Sequence, residues 1–143
     1  MLIIQKIFLL LCLALFTLPS QAKATDYSYV SADNLKAWLE SARPVLLVDI
    51  QEKKDFATHH IKGALETNAY PVESETERGR LLAALEQFKT GRFEAVVVVC
   101  PRGKGGAKRT YEFLRGQGVP EGKLFILTNG MENWPHQTWV ESN

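Results

Sequence analysis

An α/β fold, with a parallel sheet of about five strands and helices on both faces, follows from three observations. The apolar runs Val45–Asp49 and Ala95–Val99, with a third at residues 123–127, are of strand length and almost uninterrupted. Such runs mark strands buried on both faces rather than on one. Stretches with helical spacing lie between them, and that alternation builds parallel crossovers. Finally, the runs lead into Asp49, Cys100 and Thr128-Asn129-Gly130, which a parallel sheet brings to its carboxyl edge, where ligands bind.

The elements follow in order. Ser31 is placed to cap a helix in which Leu35, Trp38 and Leu39 stand at i, i+3 and i+4, and Pro44 ends it before the first apolar run. Residues 52–59 read as a short helix, and residues 63–68 as a short strand or turn leading to Tyr70-Pro71. Ser74-Glu75-Thr76-Glu77 has the pattern of a capping box, opening one helix that reaches Gly91 with Leu81, Leu82, Leu85 and Phe88 in a single apolar stripe. A further helix begins at Ala107, sets Ala107, Tyr111 and Leu114 on one face, and stops near Gly116 and Gly118. The last strand is followed by a short terminal segment containing Trp134 and Trp139.

Residues 1–24 are set apart from this pattern. One early cation, Lys6, precedes an uncharged, largely apolar run from Ile7 to Leu18; Pro19 breaks it, and Ala22-Lys23-Ala24 has the spacing of a cleavage site. This is the pattern of a secretory signal peptide, and the run is short for a retained membrane anchor, which needs roughly 20 apolar residues. Export to a bacterial periplasm is therefore expected, with residues 25–143 as one domain. Removing 24 of the 143 residues leaves 119, enough for a single core. Loss of Lys6 and Lys23 turns a net charge of +1 into −1, so no overall basic field points to nucleic acid. Cys12 departs with the leader, and the expected mature chain carries Cys100 alone, with no internal disulfide to form.

Cys100 is the residue on which a functional reading turns. It ends a buried strand and opens Pro101-Arg102-Gly103-Lys104-Gly105-Gly106 before a helix. Three glycines leave amide N–H groups uncovered and free to adopt positive φ, so they can converge on an anion, and the helix N-terminus adds partial positive charge. Arg102, Lys104, Lys108 and Arg109 fall within eight residues without an acid among them. Cations at a helix start oppose the macrodipole, and a small anionic visitor offsets that cost. A thiol in such a setting is suited to act as a thiolate nucleophile.

These residues resemble a single rhodanese domain over nearly the whole mature sequence. Val45-Leu46-Leu47-Val48-Asp49 resembles the strand that opens the domain's signature, and Phe56 with His59-His60-Ile61-Lys62-Gly63-Ala64 its His-Ile-x-Gly-Ala turn. Cys100-Pro101-Arg102-Gly103-Lys104-Gly105 resembles the six-residue active loop, and Asn129-Gly130-Met131-Glu132-Asn133-Trp134 the closing glycine-and-tryptophan segment. The resemblance implies sulfur transfer: a small anionic donor such as thiosulfate gives its outer sulfur to Cys100, and the persulfide passes it to cyanide, a thiol or a protein acceptor. It implies Cys100 as nucleophile, the backbone of Arg102, Gly103, Lys104, Gly105 and Gly106 as anion cradle, and Arg102 and Lys104 as substrate cations, with Lys108 and Arg109 as second choices. Asp49 is expected to support the strand end and His60 to orient the neighbouring turn. No cofactor is expected, and the spacing of His59, His60 and His136 matches no familiar metal site.

The sequence also departs from the family pattern. Gln51 stands where many rhodaneses have arginine, and Gly105 and Gly106 where many have hydroxyls late in the loop. Those departures open two further readings: a loop that handles other oxyanions, including those of selenium or tellurium, and a rhodanese-like module that binds, carries sulfur or senses redox state without turnover. Phosphatase chemistry fits poorly, because the sixth residue after Cys100 is Gly106 and no arginine stands there to clamp phosphate. The Lys104-Gly105-Gly106-Ala107-Lys108-Arg109-Thr110 string lacks the Lys immediately before Thr110 that a nucleotide-binding loop requires.

Overall fold

A computed structural model describes residues 24–143 of the chain. The leader expected at residues 1–24, including Cys12, lies outside the described residues apart from Ala24. No helix among the described residues is long and apolar enough to cross a membrane.

Five parallel strands form the sheet: β1 (Tyr29–Val30), β2 (Val45–Asp49), β4 (Leu65–Glu66), β5 (Ala95–Val99) and β6 (Leu124–Leu127). Their spatial order is β1-β6-β5-β2-β4. A separate antiparallel pair joins β3 (His60–Ile61) to β7 (Val140–Glu141). The helices are α1 (Ala32–Glu40), α2 (Lys53–Thr58), α3 (Glu75–Gly79), α4 (Leu82–Thr90) and α5 (Gly105–Gly116).

Successive residues of the central strands feed opposite layers, as a pleated strand requires. Leu46, Val48, Val96, Val98 and Ile126 pack with Ala84 and Leu85 of α4 and Ala107, Tyr111 and Leu114 of α5. Leu47, Val97, Val99 and Leu127 pack on the other face with Leu35 of α1, Met131 and Trp134. The α/β fold expected from the apolar runs is therefore the fold observed, with five strands and both faces covered.

Local capping follows the sequence. Ser31 accepts the Asn34 N–H at the start of α1, and Ser74 and Glu77 form a complete capping box at α3, whose backbone donors hold the Glu77 carboxyl below its usual range. Three differences from the expected elements stand out. The helix from Ser74 to Gly91 is two helices: at Arg80 and Leu81 the N–H groups reach back three residues, to Glu77 and Arg78, which rotates the following turn. Leu81 is thereby buried, Ala84 joins the stripe, and Leu82 is 57% exposed. Second, α5 starts at Gly105, two residues before Ala107, because the loop glycines enter the helix. Third, β1 and the β3–β7 pair are two-residue elements too short for periodicity to reveal.

Candidate functional site at Cys100

In-register pairing of β2 with β5 sets Asp49 beside Val99, and β6 lies on the other side of β5. Cys100, Asp49 and the Thr128-Asn129-Gly130 turn consequently meet at one sheet edge, as the parallel arrangement predicts. The loop after Cys100 is clamped there by backbone. Met131 N–H donates to the Cys100 carbonyl at 2.8 Å and Glu132 N–H to the Pro101 carbonyl at 2.9 Å. Gly103 has φ +69, and a Cβ on it would lie 2.8 Å from the Leu127 carbonyl. Gly130, with φ +63, is pressed so closely against the loop that a Cβ would stand 2.5 Å from the Arg102 nitrogen. Positive φ and close backbone approach make glycine the residue these two positions require.

The Cys100 side chain is buried, at 2% exposure, and its Sγ accepts the Gly103 N–H at 2.8 Å. No side chain caps α5. Among the described residues, no acceptor engages the N–H groups of Arg102, Lys104, Gly105 or Gly106, so the orphan donors of the helix start stand open toward an anion. A cavity of about 80 Å³ forms here, lined by Cys100, Arg102, Lys104, Gly105 and Gly106, with Tyr70 and Arg109 closing its far wall.

Of the residues expected in the anion cradle, Arg102, Lys104, Gly105 and Gly106 line one small cavity with the thiol, whereas Gly103 is not in its lining and gives its N–H to Cys100 Sγ. The structure separates the two second-choice cations. Arg109 enters the cavity: its Nε–H donates to the Pro71 carbonyl at 3.0 Å, its Nη2 is 3.4 Å from Glu73, and its Nη1 lies 3.0 Å from where a Gly105 Cβ would sit. Lys108 points away, over the Tyr27 ring at 5.2 Å. Tyr70 was not foreseen as a wall of the site. Its ring lies 3.0 Å from where a Gly106 Cβ would stand, a long-range contact that no local motif announces.

The residues named as supports lie on the other flank. Asp49 is fully buried; its Oδ1 accepts the Gln51 backbone N–H at 2.9 Å and its Oδ2 the Gln51 side-chain amide at 3.0 Å. Burial pushes its carboxyl up to about 7, against the Gln51 hydrogen bonds, which favour the charged form. Gln51 also donates to the His59 carbonyl at 3.1 Å, tying the sheet edge to the α2–β3 turn. His60 donates from Nδ1 to the Phe56 carbonyl at 2.7 Å, stacks on the Phe56 ring at 3.9 Å, and has Nε2 3.7 Å from Glu141. It braces the turn and is not among the residues lining the thiol cavity. A second cleft, of about 220 Å³, opens between this flank and Pro101, and Cys100 is not among the residues that line it.

The rhodanese-like domain family matches residues 31–137. A yeast protein tyrosine phosphatase of the rhodanese family superposes with a TM-score of 0.61 at 18% identity, over 81% of this chain and 92% of that one. Thiosulfate sulfurtransferase from Pseudomonas aeruginosa superposes with a TM-score of 0.62 at 21% identity, over 82% of this chain and 20% of that one. The As-Sb reductase from Leishmania major gives 0.56 at 19% identity, over 78% and 79% respectively. At these identities the likeness is one of fold. No curated protein sequence matches the chain.

Proposed function

The chain belongs to the rhodanese-like domain family, and we propose that it is a sulfurtransferase working through a persulfide on Cys100. The observation that carries this reading is the Gly103 N–H held 2.8 Å from Cys100 Sγ at the mouth of a cationic, uncapped helix start. The Cys100 thiolate attacks the outer sulfur of thiosulfate; the donor's S–S bond breaks, its electron pair leaves with sulfite, and the sulfur remains on Cys100. Open amides at Gly105 and Gly106 stabilise the terminal sulfur of the persulfide, as preorganised donors stabilise any developing anion. Arg102 and Lys104, both exposed, and the half-buried Arg109 hold the donor's oxygens. An acceptor nucleophile then attacks the outer sulfur and returns Cys100 as thiolate. Cleavage after Ala24 would deliver this domain to the periplasm, where a lone thiol has no internal partner.

A second reading, binding and handling of other oxyanions such as selenite or tellurite, is favoured by the same three cations and by the absence of hydroxyl side chains at Gly105 and Gly106. Intact mass spectrometry of the reduced protein after incubation with thiosulfate, with Cys100→Ser alongside, decides between them. Gain of one sulfur atom, reversed by a thiol and absent in the variant, is the expected result. A free, accessible thiol that gains no sulfur overturns the thiosulfate reading, and the same assay with selenite and tellurite then tests the second.

A further inference from the structure

Beyond the buried Asp49, the strand flank keeps polar groups that nothing in the fold uses. The cleft of about 220 Å³ there is walled by Gln51, Asp55, His59 and Glu132, and Pro101 is the rim it shares with the Cys100 loop. Asp55 and Glu132 are exposed, and no ion pair among the described residues engages either carboxylate. Two surface carboxylates by themselves need only water. Gln51 sets this pair apart.

Gln51 is 5% exposed, and both of its amide hydrogens are spent, one on Asp49 Oδ2 at 3.0 Å and one on the His59 carbonyl at 3.1 Å. Two acceptors on that side fix the orientation of the amide, so the group left over is its oxygen. Oε1 has no partner among the described residues. Nor is it sealed, because the unpartnered side-chain atoms cut off from solvent are Asn68 Oδ1 and the Tyr111 hydroxyl. Since Gln51 lines the cleft, its open acceptor faces that space beside the two carboxylates. A nearly buried acceptor without a partner is unfavourable, and a cationic donor entering the cleft removes that cost.

The residues present select among cations. Asp55, His59 and Glu132 do not converge as a group that could hold a metal ion. The cleft is also smaller than the roughly 300–1,000 Å³ of small-molecule sites, which suits one side chain. A guanidinium has five N–H donors in a planar fork and no acceptor, so it can serve the Gln51 oxygen and both carboxylates together. Pro101 and Met131 offer apolar surface to its stem. Across the loop, Arg102 and Lys104 carry the opposite charge, so a partner laid over the loop is oriented by both signs. We propose that the cleft is a docking site for an arginine side chain presented by a protein partner that covers the Cys100 loop. The proposal needs only the two flanks of the loop and stands whether or not Cys100 transfers sulfur.

The test is a two-dimensional NMR titration of the protein with no sulfur donor present. Acetyl-arginine amide is expected to shift the Gln51 side-chain amide and the Glu132 N–H saturably, with a dissociation constant on the order of millimolar, as one side chain can provide. Acetyl-citrulline amide, which keeps the shape and loses the charge, is expected to bind about fivefold more weakly or worse. Glu132→Gln and Asp55→Asn each weaken the arginine probe about threefold or more; both are exposed positions outside the described ion pairs, so these variants are expected to fold. Glu86→Gln, which removes an exposed carboxylate on α4, leaves binding unchanged. Capped Gly-Arg-Gly is expected to bind about twofold more tightly than acetyl-arginine amide, because its backbone reaches the rim at Pro101. Agmatine tests the other source of a guanidinium: if it binds more tightly than both peptide probes, the cleft is a site for a free cation and the protein assignment is overturned. No saturable shift at Gln51, equal binding of the citrulline probe, or equal weakening by Glu86→Gln overturns the site itself.

Discussion

On the helix side of the Cys100 loop, Arg102, Lys104 and Arg109 stand around the thiol with N–H groups left open. On the strand side, Asp49 is sealed from solvent and both its oxygens are occupied by Gln51. The Cys100 loop thus lies between a flank whose polar groups await a partner and a flank whose buried carboxylate has found its own. Open donors at the surface can meet a substrate at little cost, whereas a buried polar group left unpaired costs about 1–3 kcal/mol. Chemistry is therefore expected from the first flank and rigidity from the second, and variants on the two should fail in different ways.

The largest effect is expected where both flanks depend on one residue. Gly130 sits at φ +63 against the backbone of Pro101 and Arg102. In Gly130→Ala, the strained conformation and the crowding each cost about 1–3 kcal/mol, and the loop must move away from Met131 and Glu132. Thermal unfolding is expected to fall by roughly 10 °C or more, and persulfide formation by at least tenfold. A variant with normal melting and normal sulfur loading would show that the loop is not held by this contact.

The buried flank should reveal itself through pH. The folded Asp49 carboxyl, pushed up to about 7 by burial, retains a proton that an unfolded aspartate, titrating near 4, has already released. The folded state then binds more protons than the unfolded one between about pH 4 and 7, so stability falls as pH rises through that window. The contribution is fully present below about pH 4 and lost once pH passes about 7. Asp49→Asn removes the slope, and the difference between variant and wild type across the window is expected to be about 2–4 kcal/mol in urea unfolding. Parallel profiles for the two proteins would show that Asp49 titrates as an ordinary carboxylate.

The open flank was the more legible of the two in the sequence. Cys100, the glycines and the cations are contiguous, and local chemistry suffices to read them as one loop. The core was legible for a similar reason, because Ala95–Val99 and its neighbours are apolar throughout. What escaped depends on distance or on very short elements. Tyr70 meets Gly106 across 36 positions, and the β3–β7 pair is two residues a side. Leu82 falls in the apolar stripe only if residues 74–91 form a single helix; the switch to hydrogen bonds that reach back three residues at Arg80 and Leu81 moves its side chain to solvent. In the sequence Gln51 stands out only as a departure from the family pattern, whereas its two bonds to Asp49 make it the fastening of the buried flank.

The smallest expected effect distinguishes contact from field. Lys104 and Lys108 carry the same charge and lie four residues apart on the chain, but Lys104 lines the thiol cavity while Lys108 lies over the Tyr27 ring. If the cations act by touching the donor's oxygens, Lys104→Gln slows persulfide formation about five- to tenfold and Lys108→Gln changes it less than twofold. The Lys108 variant then registers only as lost cation–π attraction, about 0.5–1 kcal/mol of stability at most. If instead the segment works as a diffuse positive field, both variants slow loading equally and added salt erases the difference from wild type, since exposed charges are screened beyond about 10 Å at 0.1 M. Loading rates of the two variants in low and moderate salt separate these cases. Equal slowing would move the substrate-holding role from particular side chains to the loop as a whole.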